Sequence, residues 1–283
     1  MTIVVVHGGV SGIAQQRAPA LSIALTRAPT LSTALDAVET ATTALEDDPD
    51  LNAGFGAVLN LAGELELDAG IAEGASGRCG GVANVGVRHP VAVARRVLEE
   101  TPHTLLTGAG AAAFAGDAEV LPDTTPEQRA RWEDARASGR LGHEGYGAPH
   151  DVDTVGAVAL GERGDLAAAS STGGVFGKMP GRVGDTPIFG AGLFASARAA
   201  VVGTGVGEVF LESLACFVAG RLIANGHTPQ QACEDVIAEL PARAGLSAGL
   251  LALDERGRIG AAFRGGSWRV HGPDGPIEAA HLG

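Results

Sequence analysis

The chain has 283 residues, of which 45% are hydrophobic and 19% are charged. This composition is typical of a folded globular protein and excludes a disordered one. The net charge of −13 and the single lysine, Lys178, argue against a nucleic-acid partner. The three cysteines show no CxxC spacing, which excludes a disulfide framework and indicates a reducing compartment.

The apolar stretches and the start of the chain predict a cytoplasmic protein. The first residues, MTIVVVHGGV, lack the basic segment and the long apolar stretch of a signal peptide. No apolar stretch reaches the length of a membrane-spanning helix, so we expect no membrane partner. The histidines His7, His103 and His150 stand apart from other ligand types, so no catalytic metal is expected.

In the first half of the chain, hydrophobic periodicity predicts strands and helices in alternation. Thr2–Val6 predicts a short buried strand, and a helix with Thr30 as its N-cap is expected to run past Leu45. Phe55–Leu61 and Glu64–Ile71 are predicted to pair as strands. The next predicted elements are a strand at Gly81–Val87, a helix at Pro90–Leu98 and a strand at Thr104–Thr107.

A polar segment, residues 124–149, separates the two halves. It is charged and punctuated by glycine, which is typical of a linker, although Glu127–Ala137 within it predicts a helix. Directly after it, Thr154–Leu160 and Leu166–Thr172 flank a four-residue turn. This pattern predicts a hairpin of two apolar strands.

The remainder of the chain predicts helices followed by strands. Gly207–Asn225 carries the strongest helical pattern, and Thr228 is expected to cap a second helix that runs to Leu240. The closing strands are predicted at Leu246–Leu253, Ile259–Phe263 and Ser267–Val270. Clustered strands favour hairpin-rich sheets faced by helices over a parallel βαβ sheet.

Thr154 is the first candidate for a catalytic side chain. It follows Asp153 at the point where the polar segment meets a strand. A threonine hydroxyl is a weak nucleophile unless a base lies beside it. Cleavage of the chain before Thr154 would supply that base as a free α-amine, with a pKa of about 8. Taken alone, the position is more typical of an ordinary strand, since threonine favours strands.

Three later segments carry polar groups. Ser171 and Thr172 end the second strand of the hairpin, where their hydroxyls could lie beside Thr154 or form part of an ordinary strand end before a glycine turn. Arg182 and Asp185 share a Gly-rich loop and could hold the carboxylate and ammonium of an amino acid, or form a surface salt bridge. The string GTGVGE at residues 203–208 opens a helix, where backbone N–H groups suit an anion or oxyanion. No long buried strand in a βαβ unit is expected before it, so it is a weak dinucleotide motif.

The order of these segments carries a resemblance to a known family. The chain carries, in this order, the segments DTVGAVAL, AAASSTGG, GRVGDTPI and TGVGE. In these segments and their order it closely resembles the plant-type L-asparaginase and isoaspartyl peptidase family of N-terminal nucleophile (Ntn) hydrolases. The first half agrees through VHGG, LNAGFGAVLN and ELDAGIAEG. The resemblance spans nearly the whole chain except the linker.

The resemblance implies a catalytic role for the residues that match these motifs. Thr154 matches the nucleophile, which is exposed when the chain cleaves itself after Asp153. Thr172 matches the threonine that assists it. Thr204 and Gly205 match the oxyanion-hole donors and also belong to the implied substrate-binding set.

Further positions follow from the same resemblance. Arg182 and Asp185 match the pair that binds the substrate's α-carboxylate and α-ammonium, and we assign Gly207 to the same set. Asn52 matches the asparagine of the NAGxG motif, which lies close to the active site and is expected to take part in catalysis. Leu45–Phe55 resembles the loop whose carbonyl groups bind a structural sodium ion.

The resemblance also implies a fold and an activity. The family fold is α+β, a four-layer αββα sandwich of the Ntn-hydrolase type, so one domain over residues 1–283 is expected. Self-cleavage would divide it into fragments 1–153 and 154–283, and family members are homodimers of such processed pairs. The implied substrates are small molecules, L-asparagine and β-aspartyl dipeptides. No cofactor is implied apart from the sodium ion.

Two alternatives remain open from the sequence. Asp153 before the nucleophile is the pattern of glycosylasparaginases, which cleave a sugar–asparagine amide. Gly174 in STGG and the TGVGE string favour the isoaspartyl peptidase side instead. The second alternative is a protein of another class, an unprocessed relative that binds amino acids through Arg182 and Asp185 without turnover.

Overall fold

The computed structural model describes four stretches of the chain, which are residues 1–11, 18–141, 154–241 and 247–283. Asp153, the residue before the expected cleavage point, lies outside the described residues. Leu246, the expected start of a closing strand, also lies outside them.

The secondary structure is numbered in chain order. The strands are β1 (Ile3–Ser11), β2 (Leu67–Glu73), β3 (Arg78–Val85), β4 (Leu105–Thr107), β5 (Val155–Leu160), β6 (Leu166–Thr172), β7 (Leu193–Ala195), β8 (Ala199–Gly205), β9 (Ala248–Asp254), β10 (Ile259–Arg264), β11 (Ser267–Gly272), β12 (Gly275–Ile277) and β13 (Ala280–His281). The α-helices are α1 (Ala18–Arg27), α2 (Ala34–Glu46), α3 (Pro90–Glu100), α4 (Gly108–Ala115), α5 (Pro126–Ala137), α6 (Gly207–Ser213), α7 (Ala215–Ala224) and α8 (Pro229–Glu239).

In the described part of the chain, the strands form two mixed sheets. The first has eight strands in the order β12-β11-β1-β5-β6-β2-β3-β4, and the second has five in the order β13-β10-β9-β8-β7. Neighbours are antiparallel except β3 with β4 and β10 with β13. The predicted β5–β6 hairpin is confirmed and lies at the centre of the first sheet.

Both sheets are buried on two faces. Successive side chains of a strand point to opposite faces. Val4 and Val6 of β1 accordingly pack in a cluster with residues of α1, α2 and α3, whereas Val5 packs against residues of β8 and β9 in the second sheet. Residues of α7 and α8 cover the other face of the second sheet. The fold is therefore a mixed α/β arrangement in which the β5–β6 hairpin is buried.

The N-cap of α2 differs from the prediction. Ala28–Thr30 forms a short 3₁₀ helix, so Thr30 is not the cap. Thr33 takes that role, and its hydroxyl accepts a hydrogen bond from the backbone N–H of Asp36 at 3.2 Å. Both threonines precede the same apolar stripe, so the helical periodicity does not distinguish them.

The prediction that Phe55–Leu61 is a strand is wrong. Gly54–Gly56 forms a 3₁₀ helix, and the true hairpin pairs β2 with β3. Side chains make the backbone hydrogen bonds that a neighbouring strand was expected to make with this segment. Asn52 Oδ1 accepts the N–H of Val58 at 3.0 Å, and the hydroxyl of Thr124 donates to the carbonyl of Ala57. A strand ladder is therefore not needed to pair these groups.

The predicted helix over Gly207–Asn225 is interrupted. Leu214 has a left-handed φ of 50°, which divides the segment into α6 and α7. The elements α1, β7, β8, β12 and β13 have no counterpart in the sequence prediction. The buried strand β8 runs into the GTGVGE string, and it is antiparallel to both of its neighbours. The string therefore does not follow a strand of a βαβ unit, as expected, and it remains a weak dinucleotide motif.

Candidate active site

The β5–β6 hairpin brings the two candidate threonines together. Val155 pairs with Ser171, so the register continued by one residue places Thr154 opposite Thr172. Directly opposed residues of antiparallel strands have Cα atoms about 4.5–5.5 Å apart. Thr154 is 5% exposed and Thr172 is 3% exposed, so both hydroxyls lie at a nearly closed site.

One small cavity collects most of the predicted site residues. Its empty volume, which includes space open to solvent, is about 210 Å³. The lining residues are Thr154, Thr172, Gly174, Val175, Arg182, Asp185, Thr186, Gly205 and Gly207. The lining therefore combines two hydroxyl groups of candidate catalytic residues with a cation and a carboxyl group.

Arg182 is oriented by an acidic residue that the sequence analysis did not pair with it. Its Nε and Nη2 donate to the Glu208 carboxylate at 2.9–3.1 Å. The Arg182 side chain is only 11% exposed, so this is not a surface salt bridge. Nη1 lies on the other side, 3.3 Å from the position that a Cβ on Gly174 would occupy. The bidentate contact fixes the guanidinium plane beside the cavity.

Asp185 offers an unpaired acceptor at the cavity. Its side chain is buried, and Oδ2 has no hydrogen-bond partner among the described residues. Burial raises the pKa of Asp185 to about 7, Arg182 opposes this shift, and the charges of Glu208 and Asp68 add to it. A buried acceptor without a partner is costly, so a cationic ligand group at Oδ2 would be strongly stabilised.

The end of β8 and the start of α6 form another wall of the cavity. Gly205 has a φ of 128°, a conformation that favours glycine. A Cβ on Gly207 would lie 2.6 Å from Asp185 Oδ1 and 3.0 Å from Arg182 Nη2, so only glycine lets the backbone approach both groups. Thr204 does not line the cavity, although its buried hydroxyl has no partner among the described residues.

Gly205→Ala is expected to unfold at a lower temperature and to lose activity. Its Cβ would collide with the carbonyl oxygen of Ser247, and the left-handed backbone adds a strain of about 1–3 kcal/mol. Gly110→Ala is the matched control, because Gly110 lies in α4 with open space around its Cβ position. It should stabilise the protein by about 0.5–1 kcal/mol. Equal thermal stability of both variants, measured by calorimetry, would contradict the prediction.

Asn52 lies behind the cavity and supports its edge. Its Nδ2 donates to the carbonyl of Gly174 at 2.7 Å, and its backbone carbonyl accepts the N–H of Gly173 at 2.9 Å. The Gly174 N–H in turn donates to Thr172 Oγ1 at 3.0 Å. Asn52 therefore positions the turn that carries Thr172 and does not line the cavity itself.

Three backbone carbonyl groups of the Leu45–Phe55 loop pack closely against Gly56. The Cβ position of Gly56 is close to the carbonyl oxygen of Leu51, 2.6 Å from that of Pro49 and 2.9 Å from that of Asp48. Oxygen ligands of this kind suit hard cations. Within the described residues, no three His, Cys, Asp or Glu side chains are grouped so that they could hold a metal ion.

Several residues of the site carry no motif in the sequence that assigns them to it. Val175 and Thr186 line the cavity, and Glu208, Asp68 and Lys178 supply charges around it. The sequence singles out Lys178 as the one lysine of the chain, and the structure shows that it is buried. The others depend on contacts between distant segments, which motif spacing does not reveal.

Comparisons with known proteins point in the same direction. Residues 1–270 match the family described as asparaginase. The chain is 45% identical over 238 residues to an isoaspartyl peptidase of Salmonella typhimurium, which covers 79% of this chain and 76% of that protein. It is 39% identical over 284 residues to a plant-type L-asparaginase of Pyrococcus abyssi, and the match covers 92% of each chain.

In the described residues, no helix is both long and apolar enough to cross a membrane.

Proposed function

Because the chain belongs to the asparaginase family, we propose that it hydrolyses L-asparagine and isoaspartyl dipeptides. One observation carries the proposal. Two threonine hydroxyls, Thr154 and Thr172, share a small cavity with a buried cation and a buried carboxyl group, Arg182 and Asp185. This arrangement can hold an amino-acid head group and present its side-chain carbonyl to a nucleophile.

Substrate binding uses the two charged residues. Arg182, held by Glu208 through Nε and Nη2, directs Nη1 to the substrate's α-carboxylate. Asp185 Oδ2 accepts from the α-ammonium group. The distance between these two groups fixes where the β-carbonyl carbon lies relative to Thr154.

Self-cleavage before Thr154 precedes the reaction and gives this residue a free α-amine. Thr154 Oγ attacks the β-carbonyl carbon, and the amine accepts the hydroxyl proton and passes it to the leaving ammonia or amino acid. Thr204 and Gly205 bind the oxyanion, where one donor contributes about 3–4 kcal/mol. Water then hydrolyses the β-aspartyl ester, which releases L-aspartate and restores Thr154.

Three substrates test the proposal against its alternatives. Processed protein should release ammonia from L-asparagine and an amino acid from a β-aspartyl dipeptide, and both activities should exceed cleavage of a sugar–asparagine amide. The names of the relatives favour this result over a glycosylasparaginase. A chain that binds L-aspartate but never cleaves itself would instead be a binding protein.

The carbonyl groups of Asp48, Pro49 and Leu51 support a structural sodium site in the Leu45–Phe55 loop. Such an ion would stabilise the loop that carries Asn52, and with it the turn at Gly174. Replacing sodium chloride by choline chloride at equal ionic strength should therefore lower the melting temperature. Equal melting temperatures in the two salts would contradict the proposed site.

The finer architecture is also part of the proposal. The packing of α2 and α3 on the first sheet and of α7 and α8 on the second supports the four-layer αββα sandwich of Ntn hydrolases. We further propose a cytoplasmic homodimer of processed α/β pairs. Light scattering should then give a mass of about twice the 28.3 kDa of one chain.

A further inference from the structure

Asp68 lies in a row with the two threonines of the site. β2 and β6 pair with Asp68 opposite Thr172, and Thr172 lies opposite Thr154 in the continued β5–β6 register. Directly opposed residues project from the same face of a sheet. Alternate residues of the same strands, Ala72 and Val158, pack between the two sheets, so this row also faces the second sheet. Asp68 is fully buried, and the reaction described above does not use it.

The Asp68 carboxylate binds backbone groups of two other elements. Oδ1 accepts from the N–H of Asn84 at 3.0 Å, at a bulge of β3 where the φ of Asn84 is 55°. Oδ2 accepts from the N–H of Gly184 at 3.3 Å. Gly184 lies between Arg182 and Asp185 in the chain. Asp68 therefore ties the substrate-binding loop to the first sheet.

Lys178 supplies a positive charge to the same region. Its side chain is 2% exposed, and Nζ donates to the carbonyl of Glu66 at 2.6 Å. Nζ also lies 3.0 Å from the Cβ position of Gly174, a residue of the cavity wall. Burial lowers the pKa of Lys178 and raises that of Asp68, and the charge of each residue opposes the shift of the other. Each charge thus reduces the cost of burying its neighbour.

We propose that Asp68 and Lys178 are positioning residues that set substrate affinity by fixing Gly184, and thereby the separation of Arg182 and Asp185. The proposal rests on the function proposed above, in which the loop binds both charged groups of an amino acid. Weakening one charged hydrogen bond to the substrate corresponds to roughly 10–100-fold in affinity. The nucleophile is carried by a different element, so KM should change more than kcat.

The first test is the kinetics of Asp68→Ala and Lys178→Met with L-asparagine. Asp68→Ala removes the acceptor of the Gly184 N–H. Lys178→Met removes a positive charge that opposes the rise in the pKa of Asp68. We expect KM to rise by about tenfold or more in each variant, with kcat within about threefold of wild type. An unchanged KM in both variants would overturn the proposal.

Asp254→Ala is the matched control. Asp254 is also fully buried, accepts from the backbone N–H groups of Arg256 and Arg258, and pairs with the Arg258 side chain at 2.6 Å. It lies opposite Ala199, at the far end of β8 from Gly205. This variant should lose stability with an unchanged KM. A KM increase equal to that of Asp68→Ala would show a general effect of lost stability and overturn the proposal.

The double variant Asp68→Ala/Lys178→Met separates positioning from stability. Each single variant leaves one buried charge without the neighbour that opposes its burial, whereas the double variant removes both charges. Part of the lost melting temperature should therefore return in the double variant. KM should stay high, because the Gly184 N–H still lacks its acceptor. A KM that recovers together with the melting temperature would overturn the proposal.

A measurement on the wild-type protein applies even if the single variants fail to fold. Lysine labelled with ¹³C at Cε gives one side-chain signal, because Lys178 is the single lysine. Saturating L-aspartate, the product, should shift this signal with a midpoint equal to its inhibition constant. An unmoved signal in an enzyme that L-aspartate inhibits would overturn the proposal. Wild-type protein that cleaves neither substrate would instead overturn the proposed function, and this inference with it.

Discussion

Thr154→Ala is expected to remain one chain of 28.3 kDa and to lose hydrolysis by at least about 10⁴-fold. In the proposed mechanism the Thr154 hydroxyl attacks both the preceding peptide bond and the substrate, so one substitution removes two reactions. Wild-type protein should separate on a denaturing gel into fragments 1–153 and 154–283. N-terminal sequencing of the smaller fragment should read Thr-Val-Gly-Ala.

Thr154→Ser is the matched control for this prediction. It keeps the hydroxyl and removes only a methyl group, so it should still cleave itself and retain measurable hydrolysis. Melting temperatures of the three proteins would show that the alanine chain is folded. A fragment that starts at another residue, or an active Thr154→Ala chain, would contradict the assignment of the nucleophile.

The local parts of the site could be predicted from sequence because each lies within one short segment. The apolar strands on either side of a short turn predict the β5–β6 hairpin, and the hairpin alone places Thr154 beside Thr172. Arg182 and Asp185 lie three residues apart on one loop. The partner of Arg182 could not be predicted in the same way, because Glu208 comes from the helix α6, 26 residues further along the chain.

The errors in the fold have a similar origin. β8 consists mainly of small residues, and it is a strand because it pairs with β7 and β9 on either side. The apolar stripe continues through Leu214, so periodicity does not show that the helix is interrupted there. Asn52 and Thr124 satisfy backbone groups that the pattern at Phe55–Leu61 assigned to a strand partner. In each case tertiary contacts decide the local structure.

The inhibition constant of L-aspartate is expected to rise by about tenfold as the pH falls from 8 to 6. Burial raises the pKa of Asp185 to about 7, against the opposing charge of Arg182. Above that pH the carboxylate is ionised and attracts the ligand's α-ammonium. Below it the carboxyl group is neutral, and the attraction is lost. The Thr154 amine also titrates in this range, and succinate, which meets the same amine but carries no ammonium group, controls for its effect on binding.

Asp185→Asn and succinate together show whether Asp185 holds the ammonium group. The amide side chain at position 185 of the variant carries no charge. The variant should therefore bind L-aspartate about 10–100-fold more weakly, as expected for the loss of a hydrogen bond between charged groups. Its inhibition constant should also lack the pH dependence of the wild type. Succinate has both carboxylates of L-aspartate but no ammonium group. Its binding to wild-type protein should improve toward pH 6, because a neutral Asp185 no longer repels it. Parallel pH profiles for L-aspartate and succinate in the wild type would therefore contradict the role of Asp185, whatever the activity of the variant.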